Sequence, residues 1–426
     1  MTPTITPTIT PEKIKNVNVE DNELYDNLKE LCNSPRKFDT DGEQRALNFL
    51  IDKNTEYGYA VETQEFYVYS KTINDYLTPT SVWQYFDKYS GEKDCIGKGK
   101  NVISTSANPD EKKTLYITAH YDTTSDTNGI LDNGTGVVVA MEIARQLQGI
   151  KLPINIEYIF FSAEEAGLQG STYFVSQLTK EEKENTLGCM NIDVIGQKGD
   201  NEVALKTYEA QINVLSLLMD KYHKFPHSRS EVSDHTSFYM GEIPAIYFAD
   251  EKVSTKDIAD NPLDAVDIEI LKEQTKIICN FILNFDSDDY DNLLKDSYTK
   301  EYTDLPKTDE VLGYSLVQAN KVLKDNGAGS DIQYILKNDE GNQVIITEKD
   351  NRFLKENEIQ NFDIYNEHVK YKVSEEDDNT IVQFKDEWIG FNYDVLEGNI
   401  STENALELLN NQGKFTKDGI LFYEMD

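Results

Sequence analysis

Residues 114–136 read TLYITAHYDTTSDTNGILDNGTG, and the rest of the predicted fold is arranged around this stretch. Its first six residues are apolar or β-branched, as in a buried strand, and the run ends at His120. A polar loop containing Asp122 follows and closes on Asp132, after which VVVAMEIARQL has the spacing of a helix with an apolar face. In open α/β sheets, side chains at the carboxyl end of a strand and at the start of the next helix face one crevice, where ligands bind.

Three later stretches follow the same plan, in which a hydrophobic run stops and a side chain able to bind metal or transfer protons stands near its end. The runs are 154–161, 187–192 and 244–248, and the side chains are Glu164, Glu165, Asp193 and His235. A sheet brings such positions to a shared edge. The pattern therefore predicts one composite site.

The composition is that of a globular protein with a strong excess of negative charge. The chain has 426 residues, 38% of them hydrophobic and 28% charged, and a formal net charge of −36. Nucleic acid and anionic membrane surfaces would be repelled by this charge, so neither is expected as a partner. No run approaches the roughly 18 apolar residues of a membrane-spanning helix. The four cysteines are widely spaced, so neither a disulfide framework nor a thiolate zinc site is predicted.

Alternation of helical and strand patterns predicts an α/β domain over residues 20–286. The first helices are expected at 20–34 and at 41–56, the second capped near Thr40, with a strand at 59–69. Later helices are expected at 133–148, 169–178, 208–223 and 265–285. Residues 70–98 do not fit this alternation and are interpreted as an insertion over the sheet.

The two ends of the chain differ from this domain. Residues 1–19 include the Thr/Pro-rich run MTPTITPTITPEK, which predicts an extended stalk and, with it, an extracellular or cell-surface location, with attachment to the surface as one option. Residues 287–307 are acidic and are interpreted as a linker. A small α+β domain of unknown role is expected over 308–426. Its predicted elements are a helix at 309–325, a hairpin of Ile332–Leu336 and Gln343–Thr347, and a helix near 401–411.

The composite site has the composition of a hydrolytic metal centre. Imidazoles and carboxylates without cysteine suit zinc, or cobalt and manganese. Neighbouring buried carboxylates are costly without a cation, and the adjacent Glu164 and Glu165 therefore also favour a metal. A single histidine is commonly an ordinary surface or hydrogen-bonded residue. Six candidates in matching contexts are a stronger signal: His120, Asp132, Glu164, Glu165, Asp193 and His235.

The order of the motifs resembles that of the di-zinc aminopeptidases of metallopeptidase family twenty-eight, of the leucyl aminopeptidase and aminopeptidase Y type. The motifs are HYD, DNGTG, EEAGLQGS, NIDVIG and SDHTSF, and the resemblance covers roughly residues 20–286. It implies a three-layer zinc-peptidase fold with a central mixed, mostly parallel β-sheet between helices. It also implies removal of N-terminal residues from peptides with a free α-amino group.

The resemblance assigns roles residue by residue. His120 and Asp193 would hold one Zn²⁺, Glu165 and His235 the other, and Asp132 would bridge the two, with Co²⁺ or Mn²⁺ as substitutes. Glu164 would be the general base that takes a proton from a water shared by the metals and passes it to the leaving amine. Asp122 would accept a hydrogen bond from the other nitrogen of His120 and so fix its tautomer. A cis peptide is expected at Asp132–Asn133.

One departure from the family and several alternatives stay open at this stage. Some relatives have a tyrosine before the last histidine ligand, where this chain has Asp234, so the side chain that assists the developing oxyanion is undetermined; Tyr239 and Tyr247 are candidates. A one-zinc glutaminyl cyclase and a carboxypeptidase are alternative reactions on the same fold. A non-catalytic surface-binding protein is the third alternative, and the complete set of candidate residues argues against it.

Overall fold

The computed structural model describes residues 17, 19–70, 95–106, 111–199, 202–208, 211–229, 232–252, 263–296, 298–303, 305, 308–350, 363–366, 369–376, 378–386 and 392–416. Most of the predicted stalk and most of the predicted insertion at 70–98 lie outside these residues. The chain divides into two compact units, Met1–Asp291 and Asn292–Asp426. Each unit has its own eight-stranded sheet.

The first unit is built on a mixed sheet with the strand order β1-β2-β4-β3-β5-β8-β6-β7. The strands are β1 Ala60–Tyr69, β2 Cys95–Thr105, β3 Thr114–His120, β4 Asn155–Phe161, β5 Thr186–Ile192, β6 Val203–Thr207, β7 His227–Arg229 and β8 Ala245–Asp250. The central strands β4, β3, β5 and β8 run parallel to one another. The predicted mixed, mostly parallel sheet is therefore confirmed, and its continuous apolar runs reflect burial on both faces.

Helices flank this sheet. They are α1 Asp21–Leu31, α2 Asp41–Glu56, α3 Thr135–Leu147, α4 Gln169–Gln177, α5 Lys180–Asn185, α6 Val214–Tyr222, α7 His235–Met240, α8 Ile268–Leu283 and α9 Ser287–Lys295. The predicted cap of α2 is confirmed, since the Thr40 hydroxyl accepts a hydrogen bond from the Glu43 amide at 3.3 Å. The helix predicted over 208–223 begins later, at Val214, because Asn213 and Ser216 form a reciprocal capping box there.

Strand alternation divides the core between the two faces of the sheet. Four rings form an aromatic cluster on one face: Tyr116 of β3 and Phe161 each pack against Phe174 and Phe238, with ring centroids 5.4–6.2 Å apart. This aromatic cluster attaches α4 and α7 to one face. The neighbouring residues of β3, among them Ile117, point to the opposite face. The cluster thereby holds in place the segments that follow β4 and precede β8, which carry predicted site residues.

The second unit is an all-antiparallel sheet with the order β13-β14-β15-β16-β12-β11-β10-β9. Its strands are β9 Thr299–Tyr302, β10 Ser315–Leu323, β11 Ser330–Lys337, β12 Gln343–Asp350, β13 Asp363–Asn366, β14 Val369–Glu376, β15 Asn379–Asp386 and β16 Asn392–Gly398. Helices α10 Thr402–Asn410 and α11 Gly413–Thr416 follow, and α10 contributes Leu408 and Leu409 to the unit's core. The predicted hairpin and the helix near 401–411 are confirmed.

Two expectations for this region differ from the structure. The helix predicted at 309–325 is wrong, because Leu312 and Gly313 adopt left-handed backbone angles in a tight turn and the chain then enters β10. Pairing of β10 with both β9 and β11 overrides its weak helical spacing. The segment 287–307, predicted as a linker, contains α9 and β9.

Two further observations concern membrane-spanning helices and disulfide bonds. Among the described residues, no helix combines the length and the apolar composition that crossing a bilayer requires. None of the four cysteines is in a disulfide, and Cys32, Cys189 and Cys279 are buried. The last two are thus small buried side chains of strand β5 and helix α8.

Shortening Ile278 tests the core of the first unit. This side chain of α8 is fully buried, and Ile278→Ala is expected to lower the free energy of unfolding by about 2–5 kcal/mol because it leaves a cavity. Urea unfolding followed by circular dichroism measures the change. The matched control is Lys276→Ala on the exposed side of the same helix, with an expected change within about 0.5 kcal/mol. Equal effects of the two substitutions would contradict the assigned burial.

Candidate metal centre

The predicted site residues meet at the carboxyl edge of the parallel strands. His120 is the last residue of β3, and Asp193 directly follows β5. Glu164 comes three residues after β4, and His235 begins α7 just before β8. Because β4, β3, β5 and β8 are consecutive neighbours in the sheet, their ends are brought to one place.

His120 is the centre of the arrangement. Its Nε2 atom lies 3.1 Å from Oδ1 of Asp132 and 3.3 Å from Oδ1 of Asp193, and its side chain is 1% exposed. Burial works against protonation of this imidazole, but the carboxylates of Asp193 and Glu164 outweigh it and raise its pKa well above the ordinary value. The position around Nε2 is therefore strongly negative and attracts a cation.

Asp122 connects two of the site segments. One of its oxygens lies 3.5 Å from Nδ1 of His120, the nitrogen that faces away from the other carboxylates. The same carboxylate accepts hydrogen bonds from the backbone amides of Glu164, at 3.0 Å, and Glu165, at 3.3 Å. Asp122 is thus placed to set the orientation of His120 and the start of the Glu164–Glu165 segment together.

Asp132 lies in an irregular turn, Ile130–Gly134, and the expected cis peptide at Asp132–Asn133 is confirmed. The Asn133 side chain donates to the Ile192 carbonyl at 2.9 Å and accepts from the amides of Gly136, at 3.0 Å, and Val194, at 3.3 Å. A Cβ atom on Gly136 would lie 2.3 Å from the side-chain oxygen Oδ1 of Asn133, so only glycine fits there. Asn133 thus ties the Asp132 turn to the end of β5.

Asp193 is held by a buried chain of hydrogen bonds that sequence analysis missed. Ser233 donates to Oδ2 of Asp193 at 2.7 Å, and the Asn191 amide donates to Ser233 at 2.9 Å. Thr118 in turn donates to Asn191 at 2.8 Å. Oδ1 of Asp193, by contrast, has no hydrogen-bond partner among the described residues and faces His120. Ser233 and Asn191 stand within two residues of predicted ligands, and this proximity is the signal that could have identified them.

The adjacent glutamates differ in their surroundings. One ligand atom from each of His120, Glu164 and Asp193 lies within 4.8 Å of the other two, whereas Glu165 is exposed and outside this group. Although solvent reaches part of its side chain, burial raises the pKa of Glu164 well above the ordinary value; Asp234 and Asp193 raise it further and His120 opposes them. Glu164 is therefore a carboxylate that takes up a proton readily.

His235 is fully buried, and its ring stacks on Tyr247 with centroids 4.9 Å apart. Burial, helped by Lys206, lowers the pKa of His235 to about 3, so the ring is neutral. Neither ring nitrogen has a hydrogen-bond partner among the described residues, and the same holds for both carboxylate oxygens of Asp234. Such unpaired buried groups are costly and uncommon.

The backbone on both sides of the cluster is strained. Ala163, just before Glu164, and Val194, just after Asp193, have φ values of 58° and 54°. A β-branched residue rarely adopts this left-handed conformation, which costs on the order of 1–3 kcal/mol and concentrates at functional sites. The turns redirect the chain immediately next to the two carboxylates.

Glu43 of α2 is a second supporting residue that sequence analysis missed. Its buried carboxylate accepts hydrogen bonds from the Ser162 hydroxyl, from the Tyr121 hydroxyl at 3.3 Å and from the Asp39 amide at 2.8 Å. Burial raises the pKa of this carboxyl. Tyr121 lies between His120 and Asp122, so α2 supports two site segments from behind. No local sequence pattern reveals a contact between positions so far apart in the chain.

The two tyrosines suggested for the oxyanion have other contacts. Tyr239 donates to Gln211 at 3.1 Å and stacks on Tyr208, while the Tyr247 ring stacks on His235. The identity of an oxyanion-stabilising side chain stays a prediction.

The donor set fits a metal ion. Unpaired oxygen and nitrogen atoms of Asp193 and His235, together with the carboxylates crowded around His120, are the groups that a divalent cation would satisfy. Nitrogen and oxygen donors at the carboxyl edge of a mixed sheet between helices are the arrangement expected for a zinc-peptidase fold.

Residues 101–285 match the sequence profile of Peptidase family M28. The chain is 35% identical over 120 residues to aminopeptidase YwaD of Bacillus subtilis (strain 168), an alignment that covers 28% of this chain and 25% of the relative. It is 29% identical over 159 residues to leucine aminopeptidase 2 of Trichophyton rubrum, covering 34% and 32%. The matches thus span about a quarter to a third of these relatives.

Solved structures show the same fold. BSAP, a zinc aminopeptidase from Bacillus subtilis, superposes with a TM-score of 0.54 and 17% identity, over 63% of this chain and 95% of that one. A glutaminyl cyclase from Fimbriiglobus ruber superposes with a TM-score of 0.51 and 17% identity, over 64% and 98%. At these identities the likeness establishes the fold and does not distinguish the two reactions.

Removing the Ser233 hydroxyl tests the support of Asp193. Ser233→Ala is expected to weaken metal affinity about 10–100-fold, because Asp193 loses the donor that orients it. Zinc competition with a chromophoric chelator measures the affinity. Thr179→Ala, which removes an exposed capping hydroxyl of α5, is the control and should leave affinity unchanged. Unaltered affinity in Ser233→Ala would show that Asp193 does not need this bond.

Proposed function

We propose that this protein is a metal-dependent aminopeptidase, which removes N-terminal residues from peptides. The observation that carries the proposal is the convergence of Asp132 and Asp193 on Nε2 of His120 within the stretch that matches Peptidase family M28. Support also comes from the matched relatives, which are named aminopeptidases. The ring nitrogens of His235, which have no hydrogen-bond partner among the described residues, make it the candidate for a further nitrogen ligand.

The proposed centre holds two Zn²⁺ ions. His120 and Asp193 would bind one ion, Glu165 and His235 the other, and Asp132 would bridge them. When bound, the ions supply Lewis acidity, which acidifies water and polarises a peptide carbonyl. The distances around His120 support the first set. The exposed Glu165 and the unpaired His235 are the residues assigned to the second.

Side chains of the protein would transfer the protons in the reaction. Glu164, whose pKa is raised by burial, would take a proton from water as the water oxygen bonds to the scissile carbonyl carbon. It would then deliver that proton to the amine nitrogen as the carbon–nitrogen bond breaks, so that one water is consumed per bond. The carboxylates of Glu164 and Asp193 would also receive the positively charged α-amino group of the substrate.

A one-zinc glutaminyl cyclase is the second candidate. Within the described residues, one group of three possible ligands lies within 4.8 Å, the arrangement that a single ion would need. The likeness to a glutaminyl cyclase structure supports the same fold for both reactions. The sequence relatives over the site region favour the aminopeptidase.

Metal content and substrate hydrolysis separate these candidates. The full chain is expected to bind two zinc ions and to release nitroaniline from unblocked aminoacyl-nitroanilides, with loss of activity in a chelator and recovery on adding zinc. Elemental analysis and absorbance measure the two quantities. One zinc with cyclisation of N-terminal glutamine would favour the cyclase, and release of C-terminal residues from amino-blocked peptides would favour a carboxypeptidase. A full chain that binds no metal and shows no activity would refute the proposed function.

The adjacent glutamates provide a sharper test of roles. Glu164→Gln is expected to keep two metals but to lower kcat by at least about 100-fold, because it removes the proton acceptor. Glu165→Gln is expected to lose one metal, since an amide is a weaker ligand. Each variant is the matched control of the other. Equal loss of metal in both variants would contradict the roles assigned to Glu164 and Glu165.

A further inference from the structure

Arg36 is a fully buried arginine that lies between α1 and α2, outside the stretch matched by the family profile. Its guanidinium donates from Nε to the Tyr121 carbonyl at 2.6 Å, from Nη1 to the Asn128 carbonyl at 2.5 Å and from Nη2 to the Gly129 carbonyl at 3.0 Å. Its backbone amide donates to the Thr123 hydroxyl at 2.9 Å. All four acceptors belong to residues 121–129, which we name the Arg36 loop.

In the chain, the Arg36 loop lies between His120 and the turn that carries Asp132. Asp132 is the carboxylate that lies 3.1 Å from Nε2 of His120. The guanidinium binds one carbonyl at the loop's beginning and two at its end, and so closes the loop. Hydrogen bonds within the loop are short-range, such as those from Thr123 to the Thr124 and Thr127 carbonyls at 2.8 and 3.3 Å. Those bonds shape the tip but do not join the two ends.

Gly129 shows that the fold leaves room for this contact. Its φ is +56°, and a Cβ atom there would lie 2.9 Å from Nη2 of Arg36 and 2.4 Å from the Asp132 carbonyl. A side chain at this position would displace the guanidinium or the turn that carries Asp132. Arg36 and Asp132 are thus packed against the same glycine.

The energetics separate Arg36 from an ordinary ion-paired arginine. Arg145 forms two hydrogen bonds with the Glu142 carboxylate, at 2.7 Å each, whereas the ion pairs found among the described residues do not include Arg36. A buried cation satisfied only by carbonyl groups carries an uncompensated desolvation cost. The planar fork of arginine is needed to reach three carbonyls at once, and lysine cannot reproduce it.

We propose that Arg36 is a positioning residue for the metal centre. It closes the Arg36 loop so that His120 and Asp132 stay 3.1 Å apart, ready to share a cation. The inference rests on the proposed function, because it assumes that these two residues bind metal. The hydrogen bonds of Arg36 go to the Arg36 loop and not to the predicted metal ligands, so it acts through the loop.

Metal affinity tests the inference independently of turnover. Arg36→Met, which keeps much of the side-chain volume, is expected to bind zinc about 10–100-fold more weakly in competition with a chromophoric chelator. In the zinc-saturated protein, kcat should fall more than KM rises. Arg36→Lys should recover little of the affinity. Added ethylguanidine should partly restore zinc affinity to Arg36→Ala, which a merely destabilised protein would not show.

Two controls exclude a general effect of instability. Ile278→Ala lowers stability through a core helix, α8, that carries no predicted ligand, and should leave zinc affinity within about twofold of wild type, the margin allowed for an indirect effect. Arg45→Met removes an exposed arginine of α2 and should change neither stability nor affinity. If Arg36→Met is insoluble, Gly129→Ala serves in its place and should weaken zinc binding in the same direction.

The inference is overturned if Arg36→Met binds zinc and turns over substrate as wild type does, or loses no more affinity than Ile278→Ala. Absence of rescue by ethylguanidine, with affinity unchanged in Gly129→Ala, also overturns it. Failure of the proposed metal site has a different signature, because the wild-type protein would then bind no zinc. Wild-type zinc binding with unaffected Arg36 variants refutes the positioning role alone.

Discussion

Crowding of like charges around one imidazole is the constraint on which the first unit depends. Asp132 and Asp193 approach Nε2 of His120 to 3.1 and 3.3 Å, and Glu164 lies within the same group. Carboxylates so close together repel one another unless a proton or a cation stands between them. The fold must therefore hold the residues by other means when no ion is bound.

It does so with buried polar groups placed behind the ligands. Ser233 orients Asp193, Asn133 ties the Asp132 turn to β5, and Asp122 aligns His120 with the Glu164–Glu165 segment. Glu43 and Arg36 support the same segments from the region around α2. Each of these groups is hydrogen-bonded to other protein atoms, so the geometry does not depend on a bound ion. The left-handed turns at Ala163 and Val194 complete this frame.

The second unit shows where short-range patterns mislead. Residues 309–325 have enough helical spacing to predict a helix, yet they form a turn and the strand β10. Pairing with neighbours on both sides decides the outcome, because a strand gains its hydrogen bonds from other parts of the chain while a helix gains them locally. The hairpin of β11 and β12, whose turn lies within a few residues, was accessible from sequence for the same reason.

Sequence by itself determined the α/β fold of the first unit and the set of residues that we predict to bind metal. The predicted ligands stand where hydrophobic runs end, and the end of a strand can be predicted from the local order of residues. Only the tertiary structure decided which residues hold the ligands in place. Arg36 contacts Tyr121 across 85 positions, and Glu43 contacts Ser162 across 119, with no periodicity to announce either pairing. Such contacts exist only once the sheet and helices have packed. Packing buries these polar side chains, and a buried charge is costly unless it is hydrogen-bonded to groups that lie far away in the chain.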